Sequence, residues 1–207
     1  MSRDTGRGVT IPEMVVVMGL LGTLMSMVAL FMKQGRDYAS DTEVYSRVQR
    51  AATQALRGIT DDLYTASSEH FQSYGDAAVF LSSRSVEPDD PTVTFHNTTG
   101  RLYKRSWVSY YYEPANQELV RADLALNAAV SEPGEVPAPA VGPGTFRTQP
   151  SVRRRTAARN VSSFNVVRPG QTVLISVTCR DDTPVPQTDP ARKLVEVTVN
   201  GEVHLIN

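Results

Sequence analysis

The amino-acid sequence predicts an α+β protein in which one long amino-terminal helix packs on an antiparallel β-sheet head. Three observations predict this class. A segment without charged side chains runs from Met14 to Met32, apolar residues then recur at helical spacing as far as Leu63, and short β-branched and aromatic runs follow from Ala77 onward. A helix followed by strands favours a layered head with the helix on the sheet.

The composition is that of one ordinary globular domain with one apolar segment. The chain has 207 residues and a formal net charge of −1. This length suits a single membrane helix and a single soluble domain. Because the chain has no net basic charge, the composition gives no reason to expect a nucleic-acid partner.

The apolar segment is long enough to cross a bilayer. Met14 to Met32 is a run of nineteen residues, and at about 1.5 Å per helical residue it reaches roughly 28 Å, close to the thickness of the hydrocarbon layer. A secretory signal peptide has a shorter apolar core before a small-residue cleavage site. Since the charged leader ends at Gly8 and the apolar run continues unbroken, we expect cleavage before the helix.

Pro12 and Glu13 mark the beginning of this helix. A proline in the first turn sacrifices no hydrogen bond, because the first four amide groups of a helix have no internal partner. The pattern therefore predicts a helix that starts near Val9. A carboxylate at the edge of a membrane segment needs a partner or a water-facing position, which makes Glu13 a candidate functional residue.

Gly8, followed by Val9-Thr10-Ile11-Pro12-Glu13 and an apolar helix, resembles the class III signal of type IV pilins and type II secretion pseudopilins. The resemblance implies that a prepilin peptidase cleaves after Gly8 and methylates the new amino terminus, Val9. It also implies an assembly role for Glu13, whose carboxylate would pair with the amino group of the first residue of its own or an adjacent subunit.

Three further positions refine the resemblance. Gly22 stands where family members often carry a glycine, whereas Leu30 replaces a common helix-loosening proline and Val9 replaces the usual phenylalanine. These departures favour a minor pilin or minor pseudopilin, since minor subunits vary more at such positions. The simpler alternative is an ordinary signal anchor in which Glu13 lies at the headgroup level.

Beyond the apolar run, the sequence predicts an amphipathic continuation of the helix that ends near residues 64–68. Charged residues occupy the other faces, so this half should lie against a globular head. The pair Asp61-Asp62 near its end is interpreted as solvated charge. Residues 48–67 resemble the corresponding helix of J-type minor pseudopilins and W-type minor pilins. The apolar positions of the stripe are Tyr38, Tyr45, Val48, Ala52, Leu56, Ile59 and Leu63.

From Ala77 onward, runs rich in β-branched and aromatic residues predict short strands. Asn97-Thr98-Thr99-Gly100 and Asn200-Gly201 carry turn chemistry, and the second predicts that the carboxyl terminus is a hairpin. The predicted strands are 77–81, 93–95, 107–112, 164–167, 173–179, 194–199 and 203–206.

Residues 131–150 contain five prolines and three glycines, a composition that predicts a surface loop without a helix or a central strand. We interpret it as a tolerated insertion, with a partner contact as the alternative.

Arg153-Arg154-Arg155 follows this loop. A run of three arginines is usually a solvated face, and attraction of DNA or of an acidic neighbour is the alternative.

Residues that could carry chemistry are scarce. Cys179 is the only cysteine, and its apolar strand predicts a buried small side chain and no intrachain disulfide. The acidic pairs at 89–90 and 181–182 are interpreted as solvated charge in turns, and Trp107 with the tyrosines at 110–112 as sheet packing. No catalytic, metal or cofactor site is predicted. The histidines, which lack metal-ligand spacing, are His70, His96 and His204.

The predicted organisation has four parts. Residues 1–8 form a leader, residues 9–32 a transmembrane or filament-core helix, residues 33–66 its amphipathic continuation, and residues 67–207 a β-rich head that carries the loop 131–150. The head would be soluble and monomeric without the apolar run.

The resemblance implies a minor pilin or minor pseudopilin, a substrate of an enzyme rather than an enzyme, which joins or primes a type IV pilus or type II secretion pseudopilus. The implied partners are other pilins through the amino-terminal helix, the prepilin peptidase, the inner-membrane assembly platform and the membrane. The implied location is the inner membrane with a periplasmic head, and then the filament. Two alternatives remain open: a membrane-anchored envelope domain that binds or hydrolyses a ligand, and a competence subunit whose head captures DNA.

Overall fold

The computed structural model describes residues 10–66, 68–83, 104–130, 141–181 and 195–205. The predicted leader, Gly8 and Val9 lie outside the described residues. The same holds for the predicted strand 93–95, the predicted turn 97–100 and residues 131–140.

The described residues form one long helix, one short helix and antiparallel strands, which confirms the α+β class. The chain divides into two compact units between Val44 and Tyr45, within the long helix. The second unit contains the end of that helix and the strands. The elements are α1 (Ile11–Leu63), β1 (Gln72–Ser73), β2 (Ala77–Ser82), β3 (Lys104–Glu113), β4 (Glu118–Val130), α2 (Pro143–Thr148), β5 (Arg153–Arg159), β6 (Val161–Val167), β7 (Thr172–Asp181) and β8 (Val195–His204).

Two antiparallel sheets make up the head. The first, sheet A, has the strand order β1-β2-β3-β4-β5, and the second, sheet B, has the order β6-β7-β8. Two backbone hydrogen bonds join the sheets: the Val166 N–H donates to the Gly75 carbonyl, and the Val161 N–H donates to the Gln117 carbonyl, each at 2.8 Å. Strands β1, β4 and β5 were not predicted.

Strand β8 runs unbroken through Asn200-Gly201 from Val195 to His204, so the predicted carboxyl-terminal hairpin is wrong. Asn200 pairs with Ser176 and Gly201 with Ile175 in the unbroken ladder between β7 and β8. Gly201 instead lies against α1: a Cβ there would lie 2.7 Å from Cδ1 of Leu56, so the leucine side chain would have to move to admit it. The Asn-Gly pair therefore marks a close approach of helix and sheet, not a turn.

Residues 141–150 cover a face of sheet A, so the expectation of a helix-free surface loop is wrong for this part. Pro143 begins α2, where a missing N–H is tolerated, and Phe146 is fully buried. Arg154 holds the segment, donating from Nε to the Phe146 carbonyl at 2.8 Å and from Nη2 to the Gln149 carbonyl at 3.0 Å. The cluster on this face is Ala77, Val79, Leu81, Trp107, Tyr111, Val120, Ala122, Phe146 and Val152.

The last part of α1 supplies the other layer of the head. Of the predicted stripe, Tyr38 and Tyr45 are exposed and Leu56 is half-buried, whereas the other members are buried. The helix ends at Leu63, just before the predicted region. Burial of the stripe therefore begins at Val48. The buried α1 residues are Val48, Ala52, Ala55, Ile59, Asp62 and Leu63.

We expect Gly201→Ala to destabilise the head by about 1–3 kcal/mol, because the new methyl group overpacks the contact with Leu56. Adding Leu56→Ala should recover part of the loss. Denaturant unfolding of the detergent-solubilised chain, followed by the fluorescence of the buried Trp107, measures both. Gly144→Ala is the matched control, since its Cβ meets no atom within 4 Å; equal stability of both glycine variants would contradict the close-approach account.

Candidate functional site

The beginning of α1 is closed by hydrogen bonds between Thr10 and Glu13. The Thr10 backbone N–H and its hydroxyl both donate to Oε2 of Glu13, each at 2.9 Å. Thr10 directly precedes the first helical residue and Glu13 is the third, which is the spacing of a capping box. Glu13 thus stabilises the start of its own helix. We did not predict this role, although the Thr-x-x-Glu spacing is visible in the sequence.

The apolar part of α1 presents its side chains outward on all sides. From Met14 to Met32 the large apolar side chains are between 51% and 70% exposed. By length and composition α1 can cross a membrane, and it is the helix among the described residues that meets this criterion. Exposed apolar surface of this extent is typical of a segment that contacts a membrane or another protein.

The hydroxyl groups within this apolar part are satisfied by the helix itself. Thr23 donates its Oγ1 proton to the Leu20 carbonyl at 2.8 Å, and Ser26 donates to the Gly22 carbonyl at 2.9 Å. A hydroxyl that is already hydrogen-bonded costs less to place in an apolar medium. These polar residues are therefore compatible with lipid or with a packed bundle of helices.

Asp62, on the last turns of α1, is buried, so its interpretation as solvated charge is wrong. It is 1% exposed. Its Oδ2 accepts a hydrogen bond from the Tyr110 hydroxyl at 2.7 Å and another from Nε of Arg121 at 2.6 Å. Helix α1 is thus tied to β3 and β4 of sheet A by a buried carboxylate.

Arg121 lies between two buried carboxylates. Its Nη1 donates to Oδ2 of Asp123, two positions along β4 and therefore on the same face of the sheet. Tyr110 lies directly opposite Arg121 on β3. Arg121 and Asp123 are 5% and 2% exposed. We call Asp62, Tyr110, Arg121 and Asp123 the buried charge cluster. In this cluster one guanidinium donates hydrogen bonds to two carboxylates.

The electrostatics of this cluster follow from its burial. Burial raises the pKa of Asp123 above its ordinary range, against the opposing effect of Arg121 and Arg155. Its Oδ1 is buried without a hydrogen-bond partner among the described residues. Burial and the charge of Asp62 raise the pKa of Tyr110 well above its ordinary value, so the hydroxyl stays protonated and donates to Asp62. The arrangement holds a helix on a sheet.

A weaker contact joins α1 to sheet B. Asp181, which ends β7, is 7% exposed and lies 3.8 Å from Nη1 of Arg47. Its interpretation as solvated charge in a turn is therefore wrong. Because Arg47 is largely exposed, the ion pair itself contributes little. Residues 89–90 and Asp182 lie outside the described residues.

The remaining candidates for chemistry have structural surroundings. Cys179 is buried as predicted, and burial raises the pKa of its thiol to about 11, so the thiolate needed for nucleophilic attack is scarce at neutral pH. His70 lies edge-on against Trp107, with ring centroids 6.1 Å apart. No group of three metal-ligating side chains occurs within the described ranges. Trp107 and Tyr110 are buried in the sheet, as predicted.

The candidate functional features are therefore the Thr10–Glu13 capping box with the exposed apolar part of α1. Within the second unit, the buried charge cluster is the feature that holds the end of α1 on sheet A. The junction residues Gly8 and Val9 lie outside the described part of the chain. Comparisons of the sequence with models of protein families and with curated proteins, and of the structure with solved structures, give no match.

We expect Arg121→Met to cost about 3–5 kcal/mol of head stability, because it removes the guanidinium that donates to the buried carboxylates of Asp62 and Asp123. Replacing the two carboxylates by leucine in the same chain should recover much of the loss, since a well-packed apolar group substitutes for a buried ion pair. Unfolding monitored by Trp107 fluorescence reports both changes.

Arg159→Met is the matched control for that experiment. It removes an exposed ion pair, Arg159 Nε to Glu118 Oε1 at 3.2 Å, and should change stability by at most about 1 kcal/mol. Equal losses for the Arg121 and Arg159 variants would show that the buried charge cluster does not hold the helix.

The raised pKa of Asp123 predicts a pH dependence of stability. The folded carboxyl keeps its proton to a higher pH than the unfolded one, so its ionisation destabilises the head as pH rises above the ordinary value of 3.8. Asp123→Asn never ionises. We expect the Tm of this variant, relative to wild type, to rise as the pH increases above 3.8. A difference that stays constant or falls over this range would contradict the assignment.

Proposed function

We propose that this chain is a prepilin-like subunit, a minor pilin or minor pseudopilin, that is assembled into or primes a type IV pilus or type II secretion pseudopilus. The observation that supports the proposal is the make-up of α1. One helix starts with a capping box directly after the Gly8-Val9 junction, is apolar and exposed to Met32, and ends as a buried layer of an α+β head. A membrane anchor alone does not require that the same helix build the head.

The proposed mechanism uses α1 in two environments. In the bilayer the apolar part stores the subunit as a single-pass inner-membrane protein with its head in the periplasm. In the filament, the corresponding parts of neighbouring pilins replace the lipid around it. The internally bonded hydroxyls of Thr23 and Ser26 favour both environments, because neither needs a new partner on transfer.

The partners follow from this mechanism. Other pilins contact the subunit through the amino-terminal helix, the prepilin peptidase processes it, and the inner-membrane assembly platform moves it into the filament. The chain acts as the substrate of the peptidase and as a building unit, and it carries out no reaction of its own.

Glu13 can serve helix and assembly together. Its two hydrogen bonds from Thr10 both end on Oε2, and a carboxylate offers about four acceptor positions on two oxygens. The positively charged amino group of a processed first residue, its own or a neighbour's, can therefore pair with Glu13 without displacing Thr10. Pairing with a neighbour's amino group would put the subunit below the filament tip, since a tip subunit has no earlier subunit to pair with.

Processing between Gly8 and Val9 is the first consequence to test. We expect Gly8→Leu to retain the leader, because a side chain replaces the unobstructed backbone that the peptidase requires. Gel mobility in cells with and without an active prepilin peptidase measures the change. A wild-type chain that keeps its leader in peptidase-positive cells would reject the proposed class and leave a signal anchor.

The charge of Glu13 is tested separately from its capping role. Glu13→Gln keeps an acceptor for Thr10 but removes the charge, so we expect it to be cleaved and folded yet poorly recovered in filaments. Thr10→Val weakens the cap and leaves the charge, so it should be recovered nearly as wild type. Leader removal and filament recovery are compared at matched expression. Normal recovery of Glu13→Gln contradicts charge pairing, and loss of its cleavage assigns Glu13 to peptidase recognition.

A further inference from the structure

The first charged side chains after the apolar part of α1 are two cations. Lys33 directly follows Met32, Arg36 lies three residues further on, and both are exposed. Their side chains have no hydrogen-bond or ion-pair partner within the part of the chain that the structure describes. Asp37 follows Arg36. Two positive charges and one negative charge therefore leave one net positive charge directly beyond the apolar part.

The rise of the helix places both cations at the boundary between hydrocarbon and water if the segment from Met14 to Met32 spans a bilayer. At about 1.5 Å per residue, Lys33 lies about 1.5 Å and Arg36 about 6 Å beyond Met32 along the helix axis. The polar headgroup layer on each side of the hydrocarbon is roughly 5–7.5 Å thick. Lys33 and Arg36 therefore lie within the layer that contains the lipid phosphates.

The direction of the side chains brings them closer to the bilayer. In an α-helix the Cα–Cβ bonds tilt toward the amino terminus, which here is the direction of the apolar part. Tyr38 is 74% exposed and lies about 9 Å beyond Met32. Its ring leans back toward the headgroup layer, where tyrosine is enriched in membrane proteins. The side chains that follow the apolar part thus suit a lipid boundary.

We propose that Lys33 and Arg36 bind the phosphate groups of anionic phospholipids in the leaflet that surrounds the carboxyl-terminal end of the apolar part. A guanidinium can donate two parallel hydrogen bonds to a phosphate, whereas the ammonium of lysine acts as a point charge. An anionic headgroup fits better than a zwitterionic one, because the latter adds an ammonium group that the two cations repel. The proposal rests on the membrane span alone and needs neither leader processing nor filament assembly.

The lipid selectivity of the full chain in vesicles tests the proposal. The chain is reconstituted in vesicles of phosphatidylcholine and phosphatidylglycerol, and electron paramagnetic resonance measures how much of each spin-labelled lipid the protein immobilises. We expect wild type to prefer phosphatidylglycerol. Lys33→Gln and Arg36→Gln should each lower this preference by about fivefold, because each removes one cation near an anionic surface. All chains share Arg3 and Arg7, so comparison with wild type cancels any contribution from them.

The double variant Arg50→Gln, Arg57→Gln is the matched control for the double variant of Lys33 and Arg36. It removes the same charge from exposed positions of α1 that lie in the second unit, and it should keep the wild-type lipid preference. Denaturant unfolding followed by Trp107 fluorescence should show a folded head in both double variants, since all four side chains are exposed. Raising the salt concentration should weaken the wild-type preference.

Three results would overturn the proposal. An equal loss of preference in the control shows a general attraction of basic side chains to the vesicle. An unchanged preference in the double variant of Lys33 and Arg36, together with reduced self-association measured by fluorescence energy transfer, assigns these cations to an acidic protein neighbour. Extraction of wild type from the vesicles by alkali rejects the membrane span as well, whereas retention without a preference for phosphatidylglycerol rejects only the lipid site.

Discussion

The hydrogen bond between Asp62 and Arg121 is the constraint on which the head depends. Apolar burial is non-directional, so the stripe on α1 could slide along the sheets at modest cost. A buried carboxylate cannot slide in this way, because separating it from its partner would leave a buried charge uncompensated. We infer that the pair specifies the register of α1 on β4, with the Tyr110 hydroxyl as a second donor to the same oxygen. Asp123 accepts a further hydrogen bond from Nη1 of the same guanidinium.

Close packing follows from that register. With Asp62 held, Leu56 lies against Gly201 of β8, where an added side chain would have to displace the leucine. Phe146 fills the opposite face of sheet A, which is therefore covered on both sides. The head closes around the last part of α1, while the first part keeps its apolar side chains exposed. One helix thus carries a buried surface in its last part and an exposed apolar surface in its first part. The proposed assembly uses the exposed apolar surface.

The sequence predicted the elements whose pattern is periodic or apolar. Helix α1 and the strands β2, β3, β6 and β7 follow from such runs. It missed β4 because Arg121 and Asp123 interrupt the apolar alternation, and β5 because a run of arginines resembles a solvated loop. Long-range contacts explain the other errors: nothing local distinguishes the buried Asp62 from Asp61, or shows that Gly201 faces Leu56. Cleavage at Gly8 and methylation of Val9 stay predictions.

Hydrogen exchange along α1 tests most directly the claim that one helix serves two environments. In the detergent-solubilised full chain, the account predicts that amides of residues 48–63 are protected as strongly as those of β7 and lose protection together with them when denaturant is added, because both belong to one cooperative unit. Residues 33–44, which lack such packing, should exchange much faster. Exchange of residues 48–63 at the rate of residues 33–44, with β7 still protected, would contradict the account.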